Sequence, residues 1–550
     1  MNKKIVLFLI TVSLLVISCD LNREPEDTLA DTSFWKTETD LRGACTRLYN
    51  LLDGFSHDTR SDELVKTSAD DISSGQRTVP STSGNWSDPY YRIFTANNII
   101  LKGAGVNISE SIKNRYLAEA YFFRAYYYFM LVKKYGDVPL ILKPIDNTKD
   151  PLLDSPRTPR EEVIQQCYSD LDFAAEWLPK MSALSDADWG RVTRSAALAM
   201  TERIGLYEGT FSKYHNLDSD YKSHLKRALD AAELVMQEGH SLYPDFQKLF
   251  YFDGEGSQNK ENIFVKVYGP NGAGTVVHGN SRQMENSVSV TRGMVDLFLY
   301  NDGLPRDKSS LRISPETSFD DVFNNRDPRL AMTLYRVGED AYKGAYVPFA
   351  NQHGYGYSLK KGFMLAEWTT NSKETVDKML IRYAEVLISY AEALYEYNGS
   401  ITDEQLNLTV NVLRKRAGLN VKLTNSFATT NGLNMLTEIR RERTVEFIDE
   451  NMRYDDIIRW KIAEDVLPTN ILGAKFVDTE SSKQRADLAN RLTDSNGMLN
   501  GEQVYDQTDI YVIELAKDRV FDPAKDYLYP IPLNEISLSG GAVEQNPGWE

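Results

Sequence analysis

Few residues in this sequence could support covalent or acid–base chemistry, and where they sit says more than how many there are. Cys19 is the first. Lys3 and Lys4 precede an apolar run over residues 5–17, and Leu15-Val16-Ile17-Ser18 leads directly into the cysteine. That run is too short to span a membrane, which takes roughly 20 residues. A small residue followed by Cys at the end of a short apolar run resembles a bacterial lipobox. Cleavage there removes residues 1–18 and leaves Cys19 as the acylated first residue of the mature chain. The alternative is an ordinary signal peptide in which Cys19 is incidental. Each buried acyl methylene contributes about 0.8 kcal/mol, so several chains on one thiol hold a soluble domain at a membrane. Residues 19–35, with the polar and acidic stretch DLNREPEDT after the cysteine, read as a flexible tether.

The remaining chemistry-bearing residues do not form an active-site pattern. There are six His, none in an HExxH arrangement, and no GxSxG elbow occurs. Gly269, Gly272 and Gly274 follow a strand-like segment over 263–268, but their spacing does not match a dinucleotide fingerprint and no helix opens after them. The 79 acidic residues always offer carboxylate pairs of the glycosidase kind, yet no strand-end pattern presents such a pair. A secreted glycoside hydrolase is therefore the weakest reading, and no catalytic residue, cofactor or metal is predicted. The charged set Arg440, Arg441, Glu442, Arg443, Glu446 and Arg453 reads as a salt-bridged, partly buried helix, as do Arg382, Glu385 and Glu392, because buried charges must be paired. A net charge of −17 and a pI near 5.0 argue against a nucleic-acid partner. Cys45 and Cys167 are either bridged or free.

The elements that must position any site are mostly helices. The most distinctive stretch is EAYFFRAYYYFMLVKKYGDVP (119–139), apolar on both faces, which predicts a helix over about 111–135 covered on all sides. Lys133 and Lys134 suit its C-terminal dipole, and Gly136 and Pro139 end it. Further helices are predicted over 39–52, 89–101, 158–177, 194–207 and 221–238. Thr158-Pro159-Arg160-Glu161 reads as a capping box. Small residues (Ala196, Ala197, Ala199 and Gly205; Ala228, Ala231 and Ala232) let the last two helices approach closely. Residues 62–86 look like an exposed polar loop. The stretch 243–375 is irregular and rich in Gly, Asn, Ser and Tyr, with a short strand over 263–268 and a strand then a helix over 287–299. Long irregular insertions of this kind are usually functional. Helices return over 378–397, after Thr402, and through 435–460. The expected fold is mainly α: divergent tetratricopeptide-like helix pairs over about 39–238 and 376–460, with the loop-rich insertion at 243–375, in one globular domain spanning 36–550. A mean hydropathy of −0.42 leaves material for a large core without an internal membrane span.

Five C-terminal motifs follow the central helix in order: RYAEVLISYAEA (382–393), NVLRKRAGL (411–419), RRERTVEFIDENMRYDDIIRW (440–460), PIPLNE (530–535) and QNPGW (545–549). With the lipobox and the aromatic helix, they resemble the SusD/RagB family of surface lipoproteins across nearly the whole chain. The departures are Asp449 where Glu is usual and Trp549 where Tyr is usual. The acidic Asp20, Glu24, Glu26 and Asp27 resemble the surface-export signals of such lipoproteins. The resemblance implies a lipid-anchored outer-membrane protein facing the cell exterior, with no cofactor. It would capture an oligosaccharide, or in some members a peptide, and deliver it to a SusC-like TonB-dependent barrel. A bare scaffold that binds only protein is the rival reading. Sugars stack on aromatic rings and need a few fixed polar partners, and family ligands often contact the region after residue 70 together with the insertion. Trp86, Trp368 and Tyr300 are therefore the candidate stacking rings, Asp71, Arg77 and Asn85 the candidate polar partners, and Tyr355 a further candidate.

Overall fold

The computed structural model describes residues 34–145, 147, 149–217, 219–269, 278–279, 288–342, 344–350, 354–366, 374–478, 488 and 491–550. Cys19 and Trp368 lie outside the described residues.

The N-terminal half is a succession of helices: α1 (Glu38–Asn50), α2 (Gly84–Ala104), α3 (Glu110–Tyr135), α4 (Arg160–Trp177), α5 (Arg194–His215) and α6 (Tyr221–Met236). From α2 onward each packs against the next, and α1 covers α2 and α3. Thr37 and Asp40 form a reciprocal capping box at the start of α1, satisfying two backbone donors that a helix end leaves open. The α5–α6 contact depends on small residues. A Cβ on Gly205 would meet the His224 carbonyl at 2.7 Å, and one on Gly209 would meet Leu225 at 2.7 Å.

The chain then adds β1 (Leu64–Val65), β2 (Asn262–Lys266), β3 (Ser289–Val290), α7 (Arg292–Leu297), α8 (Pro328–Thr333), β4 (Lys378–Arg382), α9 (Tyr383–Asn398), α10 (Val410–Ala417), α11 (Met435–Glu446), α12 (Arg453–Arg459), β5 (Ile471–Lys475) and β6 (Ile510–Glu514). The strands pair antiparallel as β1–β3, β2–β4 and β5–β6. One large apolar core runs from Leu41 to Val543 and joins both helical parts. A second lies beneath the insertion, around Val290, Phe298, Phe319, Tyr357 and Ile471. The architecture is mainly helical, as expected.

Four expectations change. Helix α2 starts at Gly84 rather than Pro89, capped by Ser83, which places Trp86 in a helical first turn and not in a loop. Helix α5 runs on to His215, where Asn216 adopts a left-handed cap. Thr158 forms no capping box: α4 begins after Pro159, without a side-chain cap, and the Asp137 carboxylate accepts from the Arg160 N–H at 2.8 Å instead. Residues 378–382 form strand β4 because Asn262–Lys266 supplies a partner edge, and the helix starts only at Tyr383. Cys45 and Cys167 are buried free thiols, their Sγ atoms lying near the carbonyls of Tyr116 and Ala125.

Helix α3 is the axis of the large core. Phe122, Phe123, Tyr127 and Tyr128 are fully buried. Tyr128 donates to the Ile141 carbonyl and accepts from the Ile141 N–H. Arg124 chelates Asp170 at 2.7 Å through both Nε and Nη2. Tyr126, Met130, Lys133 and Lys134 form a half-buried strip, at helical spacing, on the face that the core does not cover. No helix among the described residues is long and apolar enough to cross a membrane.

The charged C-terminal motifs are buried and paired, as expected. Arg459 binds Glu392 at 2.8 and 2.7 Å and also holds Asp456. Burial alone would raise the Glu392 pKa, but Arg459, with Arg440 and Arg443 nearby, holds it down to about 2, against an ordinary 4.5. A carboxylate whose folded-state pKa is depressed adds stability that is complete above its unfolded value and is lost as pH falls through the folded value. Glu392→Gln should therefore lower stability at pH 7 by about 3 kcal/mol, since the buried Arg459 loses the carboxylate on its Nη edge and keeps only Asp456. It should also flatten the loss of stability between pH 4.5 and 2. Urea titrations across that range check this; an unchanged acid profile would show that Glu392 is not the carboxylate being titrated.

Candidate ligand-binding groove

Two adjoining cavities, of about 550 and 490 Å³, share Thr59, Lys66, Asp70, Ile72, Asn85 and Tyr529 as lining and form one groove. One wall is the half-buried strip of α3, Tyr126, Met130, Lys133 and Lys134, with the core residue Phe129 beneath it. Met200 and Arg203 of α5 extend it. The opposite wall comes from the 53–72 loop, from Lys378, Met379 and Leu380 of β4, and from residues 450–455. Met130, Met200, Met379 and Met452 are all among the lining residues. Such unbranched side chains repack easily around a ligand.

The 53–72 loop is pinned from several sides. Arg60 donates to both oxygens of Asp58, at 2.8 and 2.7 Å, and to the Tyr529 hydroxyl at 2.9 Å. Its guanidinium lies 4.3 Å over the Tyr454 ring. Arg453 holds Asp62 at 2.8 and 2.9 Å. The Asp449 N–H donates to Glu63, and His57 Nδ1 donates to Asp449 at 2.8 Å. The Tyr355 hydroxyl donates to the Thr67 carbonyl.

Charge in the groove is mixed. Lys133 pairs with Asp455, Arg92 with Asp53, and Arg382 and Lys361 with Glu450. Lys134 donates to the Asn85 amide oxygen at 2.7 Å, and Lys378 to the Gly54 carbonyl at 2.7 Å. Burial, with Arg60 and Lys133 adding like charge, brings the Lys134 pKa down to about 8. Burial also lowers that of Lys378. For His57, burial opposes the charged form, but the Asp449 carboxylate outweighs it and raises the pKa.

The candidate site residues separate into two groups. Asp71, Arg77 and Asn85 line the groove together. Asp71 is exposed in the first turn of a short helix, Asp71–Ser74. Arg77 is largely committed to structure: it donates to the Asp526 carbonyl and carboxylate and sits between the rings of Tyr529 and Trp549, 5.1 and 5.2 Å from their centroids. The aromatic candidates are elsewhere. Trp86 is 4% exposed and packs edge-on against Tyr135 at 4.9 Å and tilted against Tyr90 at 5.3 Å. Tyr300 is 5% exposed, its ring covered by Arg326 at 4.5 Å. Tyr355 is 6% exposed and stacks on Tyr511 at 5.2 Å. These three rings pack in the interior and offer no open face to a ligand.

Tyr126, the half-buried ring that faces the groove, is not among the sequence candidates, nor are Lys134 and Lys378; Tyr529 also lines the groove, but it is 7% exposed and Arg77 covers its ring. A signal for the α3 residues was present: Tyr126, Met130 and Lys133 fall at i, i+4 and i+7, a strip that ends in charge. It was hidden because the opposite faces of α3 are equally apolar. Nothing local marks Tyr529 or Lys378, which long-range packing brings into place.

An elongated groove of fixed polar groups, two tyrosines and adaptable thioethers is suited to holding a flexible polar ligand. Comparison with known proteins agrees with the fold. Residues 249–549 match a family model described as the SusD family, and residues 48–206 match one described as starch-binding associating with outer membrane. SusD-like protein P2 of Formosa agariphila is 26% identical over 586 residues, covering 100% of both chains. A SusD-like protein of Bacteroides ovatus is 26% identical over 83% of this chain and 82% of its own. A crystal structure of a SusD-like carbohydrate-binding protein from Bacteroides fragilis superposes with a TM-score of 0.74 at 24% identity, covering 92% of this chain and 99% of that one. A laminarin-binding SusD-like protein superposes with a TM-score of 0.63 at 21% identity, covering 94% and 100%. With the SusD family model matched across more than half of its length, through the RYAEV, RRER and QNPGW motifs, the chain belongs to the SusD family.

Proposed function

We propose that the protein is a surface lipoprotein of the outer membrane, acylated on Cys19, that captures an oligosaccharide in the groove and passes it to a SusC-like TonB-dependent barrel. The observation that carries this reading is the groove itself: two continuous cavities of about 550 and 490 Å³ walled by α3, the 53–72 loop and β4. Its walls are fixed by hydrogen bonds and ion pairs, so little ordering cost falls on binding. The outer-membrane description of the second matched model supports the location. The carbohydrate and laminarin ligands named for two structural relatives support the ligand class. Tyr126 is the proposed stacking ring. Asn85, Asp71 and the free edge of Arg77 are the proposed polar partners, and Trp368 would reach the ligand from the insertion. Binding in the groove biases closure of the protein onto the barrel, and no chemical step takes place on the sugar.

Tyr126→Ala should weaken oligosaccharide binding by about 1–3 kcal/mol, the range found for rings that stack on bases, with the helical circular dichroism of the fold retained at the temperature of the assay. Calorimetry on a glycan bound by the wild type checks this, and undiminished affinity would remove α3 from the site.

Cys19→Ala should release the protein from the membrane fraction or leave it uncleaved, because the acylated thiol is the attachment. Cell fractionation reads the outcome, and a variant as firmly attached as wild type would contradict the lipid anchor.

For the barrel, mild-detergent extraction followed by affinity purification should recover a large β-barrel protein with the wild type. Repeated recovery of the lipoprotein alone, under conditions that preserve a known barrel complex, would contradict delivery to such a partner.

A further inference from the structure

We propose that the oligosaccharide held in this groove carries acidic groups, uronate carboxylates or sulfate esters, bound by His57, Lys66, Lys134 and Lys378. This rests on the groove being the glycan site.

The acidic residues that line the cavity of about 550 Å³ are already engaged, whereas Asp71 stands exposed in the adjoining one. Asp58 is chelated by Arg60, Asp455 is paired with Lys133, and Asp53 with Arg92. Glu450 is shared by Arg382 and Lys361. Asp70 caps the helical turn that follows it, accepting from the Ile72 N–H at 2.9 Å.

The cations are not balanced in the same way. Among the described residues, no carboxylate lies within ion-pair distance of Lys66, Lys134 or Lys378. Lys134 and Lys378 reach only a neutral amide oxygen and a backbone carbonyl. Lys66 stands exposed on the rim that the two cavities share. Asp53 and Asp449 act on Lys378, and Asp455 and Asp53 on Lys134, only from beyond ion-pair distance, so three ammonium groups without a direct carboxylate partner face one cavity and suit an anionic ligand.

His57 gives a second, independent indication. Its side chain is 2% exposed, and it lines both the large cavity and a smaller one of about 70 Å³ behind it. Nδ1 donates to Asp449, while Nε2 is buried with no hydrogen-bond partner. Asp449 favours the imidazolium, the form in which Nε2–H is a buried donor without an acceptor, whereas Lys66 and Lys378 weigh against that charge. A buried donor left unsatisfied is costly. A ligand oxygen bearing negative charge satisfies it and relieves the repulsion among the three cations. Sugar hydroxyls could accept the same bonds but bring no charge, whereas charge-assisted bonds to carboxylate or sulfate are stronger and shorter.

The test is calorimetry of the purified protein against matched hexasaccharides: galacturonate and mannuronate oligomers with their methyl esters, and sulfated galactan and fucan oligomers with their desulfated forms. The expected result is that an acidic member binds at least about tenfold more tightly than its neutral counterpart, as charge-assisted contacts require. The uronate and sulfate arms show which acid is taken. Lys66→Gln, at an exposed position, and Lys134→Met should each lose most of that difference between the acidic and the neutral form. Neutral oligomers bound as tightly as acidic ones, or acidic binding indifferent to both substitutions, would overturn the inference and leave glycan capture standing. Silence across the whole panel would overturn both.

Discussion

The structure depends on one buried carboxylate shared by three guanidinium groups. Glu446, at the end of α11, accepts from Arg382 at 2.7 Å, from Arg329 at 2.9 Å and from Arg416. Arg382 also binds Glu261 at 2.9 Å and Glu450 at 2.8 Å, and Arg329 also binds Asp327 and Glu442, each at 2.7 Å. These residues come from the insertion, from strand β4, from α10 and from α11, so a single network joins the loop-rich region to the C-terminal helices. Burial alone would raise the Glu446 pKa, but the three arginines hold it well below the usual carboxylate range. Such networks seldom stabilise more than an apolar core of the same volume would, because desolvation offsets the attraction. Removing one member is costly, since the others are left buried and unpaired. The network therefore acts mainly to fix the position of each element relative to the others.

That registration reaches the groove through residues 449–455. Asp449 and Asn451 take left-handed φ values of 61° and 62°, reversing the chain between α11 and α12. The turn sets Asp449 against His57, Glu450 on Arg382 and Lys361, and Asp455 on Lys133. Arg453 and Arg60 hold the facing loop through Asp62 and Asp58. The polar frame of the groove is thus rigid, while Met130, Met200, Met379 and Met452 supply surface that can adjust. A rigid frame with an adjustable lining allows a binding protein to select on charge positions and tolerate variation in the rest of a chain molecule.

Much of the fold was legible in the sequence. Periodicity located every long helix, because apolar positions repeat strongly and the terminators, such as Gly136 and Gly418, stand where the chain turns. The ordered C-terminal motifs marked the family, and their charges proved to be structural pairs. What was not legible depends on distant partners. Strand β4 looks helical in isolation and becomes a strand because β2, more than a hundred residues earlier, offers an edge. Trp86 looked like a loop residue until Ser83 capped a helix ahead of it. The groove was hidden for the same reason. Tyr126 and Lys134 lie on a helix whose other faces are fully buried, and the residues opposite them come from segments separated by hundreds of positions. Of the site candidates, the polar Asp71, Arg77 and Asn85, chosen through the family resemblance, do line the groove, whereas burial of the rings of Tyr300 and Tyr355 depends on Arg326 and Tyr511.

The most direct test of the account is amide hydrogen exchange of the protein with and without a bound oligosaccharide. Exchange reports local opening segment by segment, and the groove is built from segments that proteolysis can separate. The account predicts ligand-dependent protection in peptides covering 53–72, the C-terminal half of α3 and 449–455, with helix α6 unchanged. Protection confined to other surfaces, with those three segments exchanging as in the free protein, would contradict it.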